Sequence, residues 1–191
     1  AAAGARLASL TRREVQVLTP MHRGEVGTLA LNEALQEALN PQGFTLAGSE
    51  SRLRLGDKVL QTKNDYEKDV FNGDVGEVAR VDDKDGKLVV GFDGPDGSRF
   101  VTYEKSELNQ LLLAYATSIH KSQGSEYPAV VIPLMTQHFV MLSRNLLYTA
   151  VTRAKRLCVL VCDPRALRLA LGETRKEERQ TGLRERLASA R

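Results

Sequence analysis

Tryptophan is absent from this chain, and five phenylalanines and five tyrosines are its only aromatic residues. A surface that reads Pro-rich peptides through an aromatic-lined groove therefore has little to build with. Only two cysteines occur, Cys158 and Cys162, four apart in the apolar run 157–162. On a strand that spacing turns both thiols to one face, where a thiol acts as a small hydrophobe; a disulfide framework or structural metal site needs more partners. Such sparing use fits a reducing cytosol, so a cytoplasmic location is expected. No run approaches the roughly 20 apolar residues that cross a bilayer, and the Ala-rich start lacks the apolar stretch of a secretory signal. No membrane partner is expected. Missing too is a Gly-rich phosphate loop ending in Lys and Ser or Thr after a strand. Gly24-Glu25-Val26-Gly27 has the glycines without the lysine, and no Walker B carboxylate pair ends a strand. By itself the chain is expected not to hydrolyse a nucleoside triphosphate, and no metal ligands are assigned.

What is present suffices for a folded core. Hydrophobic residues make up 42% of 191, and the formal charge of +3 permits a polyanionic partner without demanding one. The β-branched segment 15–19 reads as a buried strand, closed by Pro20. Leu31, Leu35, Ala38 and Leu39 then recur on one helical face until Pro41 and Gly43. Between 53 and 108 the texture changes to short alternating strands with turns at Asp85-Gly86 and Asp96-Gly97, the pattern of a small antiparallel barrel of SH3-like size. Strand and helix alternation returns with an apolar run at 111–116, a buried strand at 129–134, a helix over 139–154 and a buried strand at 157–162. Buried strands joined by helices imply a parallel sheet covered on both faces. The expected fold is thus α/β, residues 15–52 and 109–172 forming one domain interrupted by the barrel at 53–108. A leader, 1–14, and a charged tail, 173–191, flank it.

Two segments have the chemistry of phosphate contacts. In Thr117-Ser118-Ile119-His120-Lys121-Ser122-Gln123-Gly124-Ser125-Glu126, Thr117 and Ser118 are placed to cap a short helix, whose free N–H groups suit a phosphate. His120 and Lys121 add donors, and Glu126 is an acceptor for a ribose hydroxyl. The same residues also fit an ordinary polar strand-to-helix connection. Arg153, at a helix end before a strand, can stabilise charge on a transferring phosphoryl group; it equally suits the negative end of the helix dipole.

Taken in order, these segments resemble the later motifs of superfamily I helicases, closest to the RecD-like, 5′-to-3′ branch. Val17-Leu18-Thr19-Pro20-Met21-His22-Arg23-Gly24 resembles motif IV. The segment from Thr117 to Pro128 resembles motif V, and Leu147-Tyr148-Thr149-Ala150-Val151-Thr152-Arg153-Ala154 resembles motif VI. The barrel segment, with Asn64, Tyr66 and Asn72, is similar to the SH3-like insertion of that branch. The resemblance implies a RecA-like sheet and a nucleotide cleft shared with a second domain. Arg153 becomes the arginine finger and Arg23 a second phosphate contact. Gly124, Ser125 and Glu126 face the nucleotide. Thr19, His22, Asn64, Tyr66, Asn72, Thr117, His120 and Lys121 line the path of single-stranded DNA. ATP and Mg²⁺ are expected in the complete protein, with the Mg²⁺ ligands and the P-loop in an N-terminal domain preceding Ala1. Single-stranded DNA, that domain and subunits of a nuclease complex are the expected partners. The alternative is a non-enzymatic module that binds single-stranded nucleic acid or protein.

Overall fold

A computed structural model describes residues 10–48, 51–94, 97–172 and Arg186. The leader through residue 9, most of the charged tail, and Asp96 of the second expected turn lie outside the described residues. Two sheets form. The first is parallel and four-stranded, built from β1 (Val15–Thr19), β7 (Ala116–Ser118), β8 (Tyr127–Leu134) and β9 (Ala154–Cys162) in the order β7-β1-β8-β9. The second is antiparallel, from β2 (Lys58–Gln61), β3 (Val75–Asp82), β4 (Lys87–Gly94), β5 (Gly97–Glu104) and β6 (Leu111–Leu113), ordered β5-β4-β3-β2-β6. Its outer strands, β5 and β6, are not paired with one another, so the barrel is open. The sheet also runs past residue 108: Leu111–Leu113, read in the sequence with the parallel strands, pairs with β2.

Each sheet has its own core. Even-numbered Leu18, Val130, Ile132 and Leu134 share one face of the parallel sheet, where α2 (Arg144–Val151) and α3 (Pro164–Gly172) bring Leu146, Ala150, Ala166 and Ala170. Cys158 and Cys162 join this face half-buried, as free thiols, and burial pushes the Cys158 thiol up. In the antiparallel sheet, Val59, Val78, Leu88, Val90, Phe92 and Tyr103 close a second core. The expected Asp85-Gly86 turn forms, with Gly86 at φ +66.

Three expectations about burial and length are corrected. The helix expected over 139–154 is only Arg144–Val151, because the Ser143 side chain accepts from the Leu146 amide at 3.2 Å and caps it there. Strand 157–162 is an edge rather than a buried strand, with Leu160 38% and Val161 49% exposed. In α1 (Thr28–Leu39), the inward face is not the leucine face: Thr28, Asn32 and Gln36 are buried, while Leu39 is exposed and Leu31 and Leu35 are half-buried.

The sheets meet at Asp57 and Lys58, both buried. The Lys58 ammonium donates to the Arg13 and Val15 carbonyls at 3.3 and 3.1 Å, and burial pushes its pKa from 10.5 down to about 8. Below pH 8 Lys58 is protonated folded and unfolded alike. Between 8 and 10.5 the unfolded chain holds the extra proton, so stability rises with pH, by about 3 kcal/mol at full extent. Above pH 10 the buried phenols of Tyr103 and Tyr115 act oppositely: burial raises both, the fold retains protons the unfolded chain releases, and stability falls. Urea unfolding followed across this range is expected to show a midpoint that climbs from pH 8 and turns down beyond 10. Lys58→Met is expected to abolish the climb; a climb that persists in this variant rules out Lys58 as its origin.

Candidate functional site

The segment joining β7 to β8 has to descend the height of the sheet. Ala116 lies level with Val17, and Val17 level with Val131, so Ser118 stands about six residues above Tyr127. At ~3.3 Å per residue this is roughly 20 Å. Residues 119–126 coiled as an α-helix would cover only about 12 Å. The helix expected here therefore gives way to turns, tied by Ser122 N–H to Ser118 O at 3.1 Å, Gln123 N–H to His120 O at 3.2 Å and Ser125 N–H to Ser122 O at 3.0 Å. Ser118 keeps part of its expected role, its hydroxyl accepting from the Lys121 amide at 3.2 Å. Ile119 and the Ser122 side chain are buried beneath the crossing.

At the lower end of this segment one cluster forms. Arg153 lies just past Thr152, the C-cap of α2, and is half-buried. It donates to Ser125 O at 3.0 Å, Thr149 O at 3.2 Å and Thr152 Oγ1 at 3.3 Å. The Tyr127 amide donates back to Arg153 O at 2.8 Å. Glu126 pairs with Lys155 at 3.2 Å, both side chains more than half exposed, so the pair adds little stability and is free to exchange partners. Gly124 sits at φ +88, and a methyl group added to it would meet nothing within 4 Å, which leaves open space beside Ser125. Gly124, Ser125, Glu126 and Arg153 are thus brought together. Lys155 joins them, a residue sequence reasoning missed; its place two residues beyond Arg153 on a strand was the available signal. Arg23 is not in this cluster: it is exposed in the loop beyond β1.

At the upper end lies a groove of about 1140 Å³ between the two sheets. His22, Thr117, Ser118 and Lys121 line one side, and Leu53, Lys105 and Leu112 face them, with Arg52 among the remaining lining residues. His22 Nδ1 is 2.6 Å from the Thr28 hydroxyl. Thr117 is buried, its hydroxyl accepting from Gln16 Nε2 at 3.4 Å, while His120 and Lys121 are exposed. Thr19 is sealed in: it is fully buried and its hydroxyl donates to Val26 O at 2.6 Å, so its side chain is closed to a ligand. Arg52 and Lys105 belong to no motif read in the sequence. Asn64, Tyr66 and Asn72 sit apart, in the barrel loop. Asn64 Oδ1 accepts from the Asn72 amide at 2.9 Å, and Tyr66, 78% exposed, stands edge-on to Phe71 at 6.0 Å.

The two loop glycines are held for different reasons. A methyl group on Gly27 would meet Arg23 O at 2.5 Å, whereas at Gly124 only the backbone conformation resists it. Gly124→Ala is expected to cost about 1–2 kcal/mol, and Gly27→Ala more, because the 20–27 loop must rearrange. Equal losses in urea unfolding would contradict this distinction.

Two family profiles match the chain: UvrD-like helicase C-terminal domain over residues 113–161, and ATP-dependent RecD-like DNA helicase SH3 domain over 31–92. Among curated proteins, the ATP-dependent RecD2 DNA helicase of Deinococcus radiodurans is 41% identical over 190 residues, 96% of this chain and 26% of that protein. The RecBCD enzyme subunit RecD of Mycolicibacterium smegmatis is 35% identical over 191 residues, 97% of this chain and 31% of that one. The chain therefore spans about a quarter to a third of these relatives. Among solved structures, Pif1 helicase from Bacteroides in complex with ADP-AlF3 and single-stranded DNA superposes with a TM-score of 0.62 at 19% identity, over 96% of this chain and 46% of that one. Pif1 helicase from Candida albicans gives 0.53 at 20% identity, over 93% of this chain and 50% of that one. These likenesses show the RecA-like helicase fold.

Proposed function

Because the chain belongs to the RecD-like branch of the superfamily I helicases, we propose that it acts as the second motor half of an ATP-dependent DNA helicase that moves 5′ to 3′ on a single strand. One observation carries the reading. The eight residues 119–126 bear Ser125, bonded to Arg153, at one end, and Lys121, on the groove with His22 and Thr117, at the other. A single short segment thereby links a nucleotide side to a nucleic-acid side, as a motor needs.

In this reading Arg153 offers its guanidinium to a triphosphate held by a P-loop domain of the same protein, and Arg23, exposed, supplies a second cation. The residues fit such a group: Arg153 is fixed by three bonds, and the space beside Gly124 is open. Glu126 meets the ribose hydroxyls and Ser125 holds the guanidinium in place. Bound ATP supplies the free energy of hydrolysis. Mg²⁺ is assigned to the P-loop domain, where the family resemblance puts its ligands. His22, Thr117, His120 and Lys121 hold the DNA backbone; Asn64, Tyr66 and Asn72 extend the path over the barrel loop. Five curated relatives are named as subunits of the RecBCD enzyme, and a nuclease complex is a proposed setting for this chain as well.

In the complete protein, Arg153→Ala is expected to lower DNA-stimulated ATP turnover about a thousandfold and abolish unwinding, with DNA affinity changed less than twofold; normal unwinding refutes the assignment. The isolated chain is expected to show no ATPase activity. The exposed Tyr66–Phe71 pair fits a base-stacking platform, and it also favours a second reading, a barrel that docks a protein partner. Anisotropy titrations of an oligothymidylate at several salt concentrations separate the two. Steep weakening with salt, and a loss of about 1–3 kcal/mol in Tyr66→Ala, support the DNA path. An oligothymidylate affinity unmoved by Tyr66→Ala favours the partner.

A further inference from the structure

The inward face of α1 is a ladder of polar residues at every fourth position: Thr28, Asn32, Gln36 and, at its C-cap, Asn40. Each rung bonds a different part of the molecule. Thr28 Oγ1 meets His22 of the 20–27 loop at 2.6 Å. Asn32 grips both backbone groups of Ala116, donating to its carbonyl at 2.9 Å and accepting from its amide at 2.8 Å, and so occupies the outer hydrogen-bonding edge of β7. Gln36 and Asn40 both donate to Asp57, at the root of the antiparallel sheet, at 2.5 and 2.7 Å.

Asp57 is fully buried and takes two further donors, the Arg54 amide at 2.7 Å and the Tyr115 hydroxyl at 3.0 Å. Tyr115 immediately precedes the β7 segment that leads to Lys121. Burying a polar strip gains less than burying leucines would, and this helix has leucines to spare at positions 29, 31, 35 and 39. What the strip adds is geometric definition: directional bonds that specify one arrangement.

We propose that Thr28, Asn32, Gln36 and Asn40, anchored on Asp57, are positioning residues that hold the antiparallel sheet, the β7 edge and the 20–27 loop as one body. The two sides of the groove then move together when the motor cleft opens and closes. This consequence rests on the helicase reading; the rigidity itself does not.

The test uses the complete protein with Asp57→Ala and, as a milder change at the end of the ladder, Asn40→Ala. Spin labels are attached at Thr102→Cys and Arg168→Cys, one on each sheet's side, after every native cysteine of the complete protein, Cys158 and Cys162 included, has been replaced by alanine. The parent is expected to give one narrow distance distribution. Both variants broaden it, Asp57→Ala at least twofold. DNA-stimulated ATP turnover stays within threefold, while base pairs opened per ATP fall tenfold or more in Asp57→Ala. Distributions unchanged in both variants overturn the proposal, as does an unaltered ratio of base pairs opened to ATP consumed. If Asp57→Ala fails to fold, Asn40→Ala decides by the same two measures. A parent lacking DNA-stimulated turnover defeats the helicase reading alone, and the distance measurement still decides the strip.

Discussion

The height of the parallel sheet is the constraint from which the site follows. A strand that ends level with Thr19 must be joined to one that begins below Val15, and only eight residues are available. Those residues cannot coil into a helix and still arrive, so they run down the sheet as linked turns. Their polar side chains come to stand at its two ends. An insertion that relaxed the crossing would cost little in stability, since loop closure grows slowly with length. It would, however, separate Lys121 from Ser125 and break the connection between the two ends.

Around that crossing the fold spends polar groups where most α/β domains use apolar ones. Asn32 covers the open edge of β7 with its amide, Gln16 reaches the Ala114 and Tyr115 carbonyls from within the sheet, and Asp57 collects four donors at the junction. Each of these contacts is a directional bond, which makes the arrangement stiff and intolerant of small displacements. The Glu126–Lys155 pair at the lower end is of another kind. Exposed and weakly held, it can open without disturbing the framework.

Much of this was legible in the sequence, and the failures have physical causes. Continuous β-branched runs marked β1 and β8, and Asp-Gly punctuation with alternation marked the antiparallel strands. The gathering of Gly124, Ser125, Glu126 and Arg153 followed only from the resemblance to motifs V and VI, because the residue types alone fit an ordinary polar connection and a helix-terminal arginine equally well. Periodicity chose the leucine face of α1 and missed the polar face turned inward, since a side-chain amide bonding a distant backbone leaves no trace in hydrophobic spacing. The same blindness let Thr19 pass as a ligand contact, although its hydroxyl serves Val26 O. Leu111–Leu113 was read with the wrong sheet because an apolar run does not say which neighbour it will pair with. Strand 157–162 looked buried because apolar content does not reveal an edge.

That edge has a consequence of its own. Among the described residues β9 pairs with β8 alone, and its second row of amides and carbonyls has no strand beside it, while Leu160 and Val161 lie open along it. Two copies of the chain meeting there would extend one another's sheet. Lys155 and Arg156 at the head of the strand do not guard it by charge, because Glu126 at 3.2 Å and Glu14 at 4.0 Å balance them within the chain. Exposed ion pairs are screened beyond about 8 Å at physiological ionic strength, so the openness of this edge rests on its backbone groups and not on those charges.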